Sequence, residues 1–255
     1  MLGRFIVPVA RLGDFEQAVA QLPQASQTRW GLSALPGSDI ASDLKRILEF
    51  NNRPAVRSTA AAKIESIEVK IANVEEIERL SNIVPDEIEA YFEIPLSGNV
   101  ETCIAAVARS GRRAKIRTGG ETADKFPAPE QIVNFIRLCA ASGLPFKATA
   151  GLHHPIRSSH RLTYQPDSPS GIMHGFLNVF LAAAFLRAGM DPRVAVELVN
   201  EQSPAAFELA SEGVEWRDHQ ISADDLSATR QNLAISFGSC SLSEPVNDLR
   251  SLHLL

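Results

Sequence analysis

The stretch PFKATAGL, residues 145–152, is the clearest indication of the fold. Side chains alternate across a β-strand, so Lys147 and Thr149 share one face, while the apolar and small residues between them share the other. Strands inside a parallel sheet are buried on both faces and normally form nearly continuous apolar runs. A lysine in such a run must be paired or must stand at a wet end of the sheet, because burying a lone charge is costly.

Six further β-rich runs accompany this one, and amphipathic helical segments separate them. The runs are residues 4–10, 30–35, 64–71, 90–96, 114–118 and 233–239. Strands that alternate with helices through short loops indicate an α/β fold with a parallel sheet. We predict one domain, residues 1–255, with the fold of a TIM-type (β/α) barrel. Such barrels have eight strands, so we expect the first strand to be missing from this chain; an open sheet or one uncounted strand are the alternatives.

A long segment, residues 153–232, separates the last two β-rich runs. It contains a polar stretch, an apolar helix at 175–186 and a second helical stretch. Segments of this length between strands are more often functional than structural filler, so we predict an insertion that covers one end of the barrel. The apolar helix is too short to cross a bilayer, and no membrane partner is expected.

Composition excludes several classes of protein. The net charge is −5, and the longest run of basic residues is the pair Arg112 and Arg113, so nucleic acid is not an expected partner. The three cysteines, Cys103, Cys139 and Cys240, have unrelated spacings that form no disulfide framework or zinc-finger pattern. This usage favours a reducing, cytoplasmic location. Assembly into a homo-oligomer is left open.

Four consecutive predicted strands carry polar residues on one face. The same-face pairs are Glu68 with Lys70, Tyr91 with Glu93, Lys115 with Arg117, and Lys147 with Thr149. These faces could point to solvent or form structural ion pairs. The functional alternative places them at the carboxyl end of the barrel, where active sites of this architecture lie. Two neighbouring lysines each make protonation of the other more costly, so one can be a neutral amine nucleophile, as a Schiff base requires.

Three motifs resemble those of the deoxyribose-phosphate aldolases. AKIRTGG, residues 114–120, resembles their sixth strand; PFKATAGLHH, 145–154, resembles their seventh; and SFGSCSL, 236–242, is similar to their final strand. Lys115 and Lys147 are 32 residues apart, the length of one strand-helix unit. The resemblance implies a class I, Schiff-base aldolase chemistry that needs no metal and no organic cofactor.

The resemblance also implies roles for individual residues. Lys115 would form the Schiff base, Lys147 would tune it and shuttle protons, and Glu68 would help to move protons. Glu93, which the same-face pattern singles out, is a second candidate for proton transfer. The substrate's anionic or phosphate group would lie against strand ends and turns. The residues predicted there are Arg117, Thr118, Gly119, Gly120, Thr149, Gly151, Gly238, Ser239, Cys240 and Ser241. Arg117 stands where the family has a small residue, so we expect an anion near the substrate's carbonyl.

His153 and His154 follow a predicted strand and are candidates for a general acid or base. Adjacent side chains on an extended segment point opposite ways, and no HxH or HExxH spacing is present, so no metal site is predicted. For Cys240 no base is visible in the sequence, and packing or a place in the phosphate site is favoured.

The leading hypothesis is therefore a lyase that acts on a small anionic or phosphorylated carbonyl compound. A histidine-dependent isomerase or hydrolase, and a non-catalytic barrel that binds an anionic metabolite or a partner protein, are the alternatives.

Overall fold

The computed structural model describes residues 3–22, 29–53, 62–241 and 243–254. The chain divides into two compact units. The first comprises residues 1–93 and 110–112, and the second comprises residues 94–109 and 113–255.

The first unit alternates strands and helices. Its elements are β1 (Phe5–Pro8), α1 (Leu12–Ala20), β2 (Trp30–Leu35), α2 (Ile40–Asn51), β3 (Ala62–Lys70), α3 (Val74–Ile83) and β4 (Glu89–Glu93). The strands pair in parallel in the order β1-β2-β3-β4. Asp39 begins α2 by accepting a hydrogen bond from the backbone N–H of Ser42 at 3.0 Å, as its position before an amphipathic run predicts. Leu32 and Ile64, neighbours in this sheet, are fully buried in the core.

The second unit begins with the same alternation. Its first elements are α4 (Val100–Arg109), β5 (Arg113–Arg117), α5 (Pro129–Ala141) and β6 (Phe146–Thr149). Pro129 stands in the first turn of α5, where its missing N–H costs no helical hydrogen bond. Gly111 and Gly143 follow α4 and α5 with φ of 68° and 58°, the left-handed conformation that ends helices.

After β6 the chain leaves the parallel sheet and forms a mixed segment. Its elements are β7 (Ser158–Arg161), β8 (Ser170–Met173), α6 (Phe176–Arg187), α7 (Pro192–Asn200), β9 (Phe207–Ala210), β10 (Gly213–Trp216), β11 (His219–Ser222) and α8 (Ala223–Asn232). β7 and β8 form an antiparallel pair, and β9, β10 and β11 form an antiparallel sheet with β10 in the centre. Helix α6 packs against α5 and α7, and most of its side chains are buried. The helices of this segment therefore share a core with α5.

The chain then returns to the parallel sheet and ends in a helix. These elements are β12 (Ala234–Gly238) and α9 (Ser243–Ser251). In the second unit the parallel order is β5-β6-β12, so β12 lies beside β6 although the whole mixed segment separates them in sequence.

The predicted α/β class with parallel strands is confirmed, and each of the seven predicted runs contains a parallel strand. The antiparallel strands within residues 153–232 were not predicted. Closure of the strands to a barrel, a missing first strand, the single domain and the covering role of 153–232 stay predictions. Within the described ranges, no helix is long and apolar enough to cross a membrane.

Candidate functional site

Lys115 on β5 and Lys147 on β6 are register partners. Partners on neighbouring parallel strands lie at the same height and direct their side chains to the same face, with about 4.8 Å between the strands. Both lysines are buried, with 8% and 7% of their surface exposed. The structure thus places two long amines side by side within the second unit.

Strand β12 adds a residue to the row that Lys115 and Lys147 form across the sheet, and it also contributes to a second row nearer the carboxyl ends of the strands. Ser236 is the register partner of Lys147, and Gly238 is the partner of Thr149. Arg117 is the partner of Thr149 on the other side, on β5. One face therefore carries Lys115, Lys147 and Ser236 in one row, and Arg117, Thr149 and Gly238 in the next row toward the carboxyl ends of the strands. Sequence reasoning missed Ser236, although its place two residues before Gly238 on a strand was a signal for it.

The turns after β5 and β6 are joined by Thr118. Its backbone N–H donates to the Thr149 carbonyl at 2.8 Å, and its hydroxyl donates to the Ala150 carbonyl at 2.6 Å. Thr118 is fully buried. The single hydroxyl proton of Thr118 is thus used within the turn, and its place in the substrate site stays a prediction. Arg117 is exposed, and its Nε–H donates to the Gly119 carbonyl at 3.0 Å, which leaves its terminal N–H groups directed away from that anchor.

The glycines of these turns make room for neighbouring side chains. A Cβ at Gly119 would lie 2.5 Å from the Phe126 ring, and one at Gly151 would lie 2.8 Å from the same ring. A Cβ at Gly120 would meet Lys125 at 2.7 Å. Gly151 also has φ of 74°, which favours glycine. The requirement for glycine here therefore has a packing reason that does not depend on a bound anion.

Glu68 and Glu93 belong to the first unit. Glu68 on β3 is buried and accepts a hydrogen bond from the Ser33 hydroxyl at 2.8 Å. Its register partner on β4 is Tyr91. Glu93 is also buried and ends β4 opposite Lys70.

His153 lies against the residues that follow β12. Its Nδ1 is 3.1 Å from the Ser239 hydroxyl and 3.6 Å from a carboxylate oxygen of Glu244. The Cys240 sulfur lies 3.6 Å from Nδ1 and 3.7 Å from Nε2 of the same ring. Burial lowers the pKa of His153, and the Glu244 carboxylate opposes this shift. The sequence offered no base for Cys240, since His153 is distant in sequence and reaches it only through the fold.

His154 has different partners. Its Nδ1 is 2.5 Å from a carboxylate oxygen of Asp248 on α9, and its ring stacks on His160 with centroids 3.3 Å apart. His160 Nε2 is 2.6 Å from the Ser158 hydroxyl on β7. His154 thus links the β7–β8 hairpin to α9. In the described part of the chain, no group of three or more His, Cys, Asp or Glu side chains could hold a metal ion.

Ser241 prepares the start of α9. Its hydroxyl accepts a hydrogen bond from the Glu244 backbone N–H at 3.1 Å, and its own N–H donates to the Ser239 hydroxyl at 3.3 Å. This hydroxyl caps the helix.

His174 and Asn178, four residues apart, connect neighbouring segments of the chain through hydrogen bonds. His174 Nε2–H donates to the Pro127 carbonyl at 2.8 Å, and its Nδ1 accepts from the Arg157 guanidinium at 2.9 Å. Burial, together with the nearby Arg157 charge, lowers the pKa of His174 to about 4. The buried Asn178 side chain accepts from the Arg157 backbone N–H and donates to the backbone carbonyls of Leu198 and Glu201.

Comparison with known proteins identifies no family for the chain. No model of a known protein family matches the chain, and no curated protein is significantly similar to it. The likeness to deoxyribose-phosphate aldolases rests on the three motifs quoted above.

Proposed function

We propose that the chain is a class I, Schiff-base lyase that acts on a small anionic or phosphorylated carbonyl compound through Lys115. The observation that carries the proposal is the register of β5 and β6, which sets Lys115 beside Lys147 on one face. Both side chains are buried. A carbonyl carbon requires a neutral amine as its nucleophile, and the aldolase-like motifs assign that role to Lys115.

In the proposed reaction, the Lys115 amine adds to the substrate carbonyl, and loss of water gives an iminium. Loss of the proton from the substrate's β-hydroxyl lets the bond between the α and β carbons break; its electron pair moves toward the iminium to give an enamine, and the β carbon leaves as a carbonyl. Protonation of the enamine carbon and hydrolysis then release the second carbonyl product and the Lys115 amine. Lys147, one strand away, is suited to move protons during addition and dehydration. Glu68 or Glu93 is proposed for the further proton transfer. The proposed frame is a TIM-type barrel, an architecture whose active sites lie at the carboxyl ends of the strands.

The second row supplies the proposed anion site. Arg117, Thr149 and Gly238 lie one step nearer the strand ends than the lysines. A guanidinium can bind a carboxylate or phosphate through two parallel hydrogen bonds, and a glycine lets an anion approach the backbone. An anionic group held there places a carbonyl near the lysine row.

Borohydride trapping tests the proposal. The protein is incubated with a panel of aldehydes, keto acids and phosphorylated aldehydes, reduced with borohydride and mapped by mass spectrometry. We expect a covalent adduct on Lys115 that Lys115→Met abolishes and that the exposed control Lys125→Met retains. Lys147→Met should slow trapping near neutral pH. Absence of an adduct across the whole panel would sink the proposal.

The anion site has its own test. Arg117→Ala should raise KM for anionic substrates, Arg117→Lys should restore part of the loss, and neutral aldehydes should be unaffected. Equal loss for charged and neutral compounds would contradict the assignment of Arg117.

A second candidate is a non-catalytic protein that binds an anionic metabolite. Its support is the row of Arg117, Thr149 and Gly238, which needs no lysine chemistry. Phosphate binding that Arg117→Ala removes, with no adduct in the unmutated protein, favours this candidate.

A further inference from the structure

The β7–β8 hairpin, residues 158–173, buries little apolar surface. Its two strands pair with each other, and no other helix or strand in the described ranges packs extensively against them. No side chain of β7 is fully buried, and on β8 only Met173 is buried. Leu162, which follows β7, is the other buried apolar residue of the hairpin. The position of the hairpin therefore depends strongly on its few polar contacts.

The main polar contact is a stack of two histidine rings. His160 on β7 lies parallel to His154, with an angle of 7° between the rings and 3.3 Å between their centroids. Because a carboxylate only accepts hydrogen bonds, His154 donates through Nδ1–H to Asp248 on α9, at 2.5 Å. The stack therefore joins three parts of the second unit, which are the hairpin, the segment after β6 and α9.

A second contact lies at the surface. The Tyr164 hydroxyl donates to the Glu244 carboxylate on α9 at 3.0 Å. Tyr164 is 73% exposed, so water competes for this hydrogen bond. The histidine stack is thus the better protected of the two connections between the hairpin and α9.

The hydrogen bonds of Ser158 determine which nitrogen of His160 is protonated in the neutral ring. The Ser158 hydroxyl donates its one hydrogen to the Ile156 carbonyl at 3.0 Å, so His160 Nε2–H donates to the hydroxyl oxygen at 2.6 Å. An additional proton must therefore bind to His160 Nδ1. The ring then becomes an imidazolium whose face lies against His154, and two stacked imidazoliums repel each other.

Four charged or titratable groups surround His160. His153 and His154 lie on the segment after β6. Glu244 and Asp248 lie on α9. Each carboxylate has another ring as its partner, since Asp248 binds His154 and Glu244 lies 3.6 Å from Nδ1 of His153. Burial lowers the pKa of His160, and the His154 ring adds to the shift, while the two carboxylates oppose it.

We propose that the stack of His154 and His160 is a pH-sensitive clasp, which holds the β7–β8 hairpin against α9 when His160 is neutral and releases it when His160 is protonated. In the released hairpin, water surrounds the His160 ring, and its pKa returns to the ordinary value of 6.5. The open state then binds a proton more readily than the closed state. The closed state is therefore fully favoured above the ordinary pKa and loses stability as the pH falls toward the lower pKa of the closed ring.

Release of the hairpin uncovers the segment that follows β12. In the closed state the Tyr164 hydroxyl lies 3.3 Å from the Cys240 sulfur, so the hairpin lies on this segment. Gly238, which is proposed to hold the substrate's anion, precedes Cys240 by two residues. Only the expectation that release changes access to the anion site rests on the proposed function. The clasp itself does not.

A distance measurement by electron paramagnetic resonance tests the clasp. Spin labels are attached at Asp167→Cys in the hairpin and at Asn247→Cys on α9, in a Cys240→Ser background. Both labelled positions are exposed, and the remaining Cys103 and Cys139 are buried. Double electron–electron resonance then reports the distance between the hairpin and α9 as a function of pH.

We expect a single short distance at about pH 7.5 and a second, longer distance at about pH 5.5. One linked proton changes the ratio of open to closed molecules by up to about tenfold per pH unit, and we expect this ratio to rise at least about threefold. His174, near the base of the hairpin, stays largely neutral over this range because its pKa is about 4.

Two variants assign the response to His160. His160→Phe retains an aromatic ring that can stack on His154 but cannot be protonated, and His160→Gln retains a donor for the Ser158 hydroxyl. Both variants should lose the pH response, whatever their distance at the higher pH, whereas the exposed control His253→Gln should retain it. A distance that does not change with pH when His160 is present, or a response that persists in either variant, overturns the proposal. The measurement uses no carbonyl compound, so its outcome is independent of borohydride trapping.

Discussion

His174 makes the stability of the protein depend on pH. The ring is buried, with 1% of its surface exposed, and its Nδ1 accepts a hydrogen bond from the Arg157 guanidinium. A protonated ring would direct a second N–H at this guanidinium, where a hydrogen bond can no longer form. The folded protein therefore resists protonation of His174, whereas the unfolded chain does not.

The magnitude follows from the two pKa values, 6.5 in the unfolded chain and about 4 in the folded protein. Between these values the unfolded state binds more protons, so stability is complete above the unfolded pKa and falls as the pH decreases. At about pH 5 nearly all unfolded chains but only about a tenth of folded ones are protonated at this residue, which corresponds to a loss of about 2 kcal/mol relative to about pH 7.5. The loss continues until the pH passes the folded value.

Urea unfolding at the two pH values measures this effect. In a Trp30→Phe background, the fluorescence of Trp216, which is fully buried, reports on the second unit. His174→Gln removes the titration and retains a side chain that can both donate and accept hydrogen bonds. We expect the unmutated protein to lose about 2 kcal/mol more than His174→Gln on acidification. His253→Gln, which changes an exposed histidine, should behave as the unmutated protein. Equal losses in the unmutated protein and in His174→Gln would refute the reasoning.

Two further predictions concern packing and buried polar groups. Gly119→Ala should lower the free energy of unfolding by roughly 1–3 kcal/mol, because the new methyl group meets the Phe126 ring. Gly13→Ala, which has open space around the new methyl group, should not lower it. Equal thermal unfolding of the two variants would contradict this account. Asn178→Ala should cost about 2–4 kcal/mol, since one buried and two partly buried backbone groups lose their partner. In urea unfolding, the exposed control Asn232→Ala should change stability by less than about 0.5 kcal/mol. A similarly small effect at Asn178 would show that these bonds are replaced.

Most of the parallel architecture could be predicted because short β-rich runs alternate with amphipathic helical segments along the chain. The β7–β8 pair could not. The strand Ser158–Arg161 has no fully buried side chain, so it lacks the alternation of apolar and polar residues that indicates a half-buried strand. Its pairing depends on backbone hydrogen bonds to β8, which leave little trace in the order of side chains.

The candidate site, like the fold, could be predicted from the sequence only in part. Alternation along one strand predicts that Lys147 and Thr149 share a face, but it does not give the register with the next strand. A slip of one residue between β5 and β6 would direct Lys115 to the opposite face from Lys147. Packing of the whole sheet selects the register, as it selects the approach of His153 to Cys240. Neither relation can be read from a single stretch of sequence.

The position of β12 beside β6 has a consequence for the order of folding. Residues 150–233 lie between these strands, and bringing together ends so far apart costs more chain entropy than joining β5 to β6. Because α6 and α7 of the intervening segment pack against α5, their packing can draw the two ends together before they pair. The face that carries Lys115, Lys147 and Ser236 is therefore complete only after a segment that contributes neither lysine has folded. We expect β12 to be the last strand to join the sheet during synthesis and refolding.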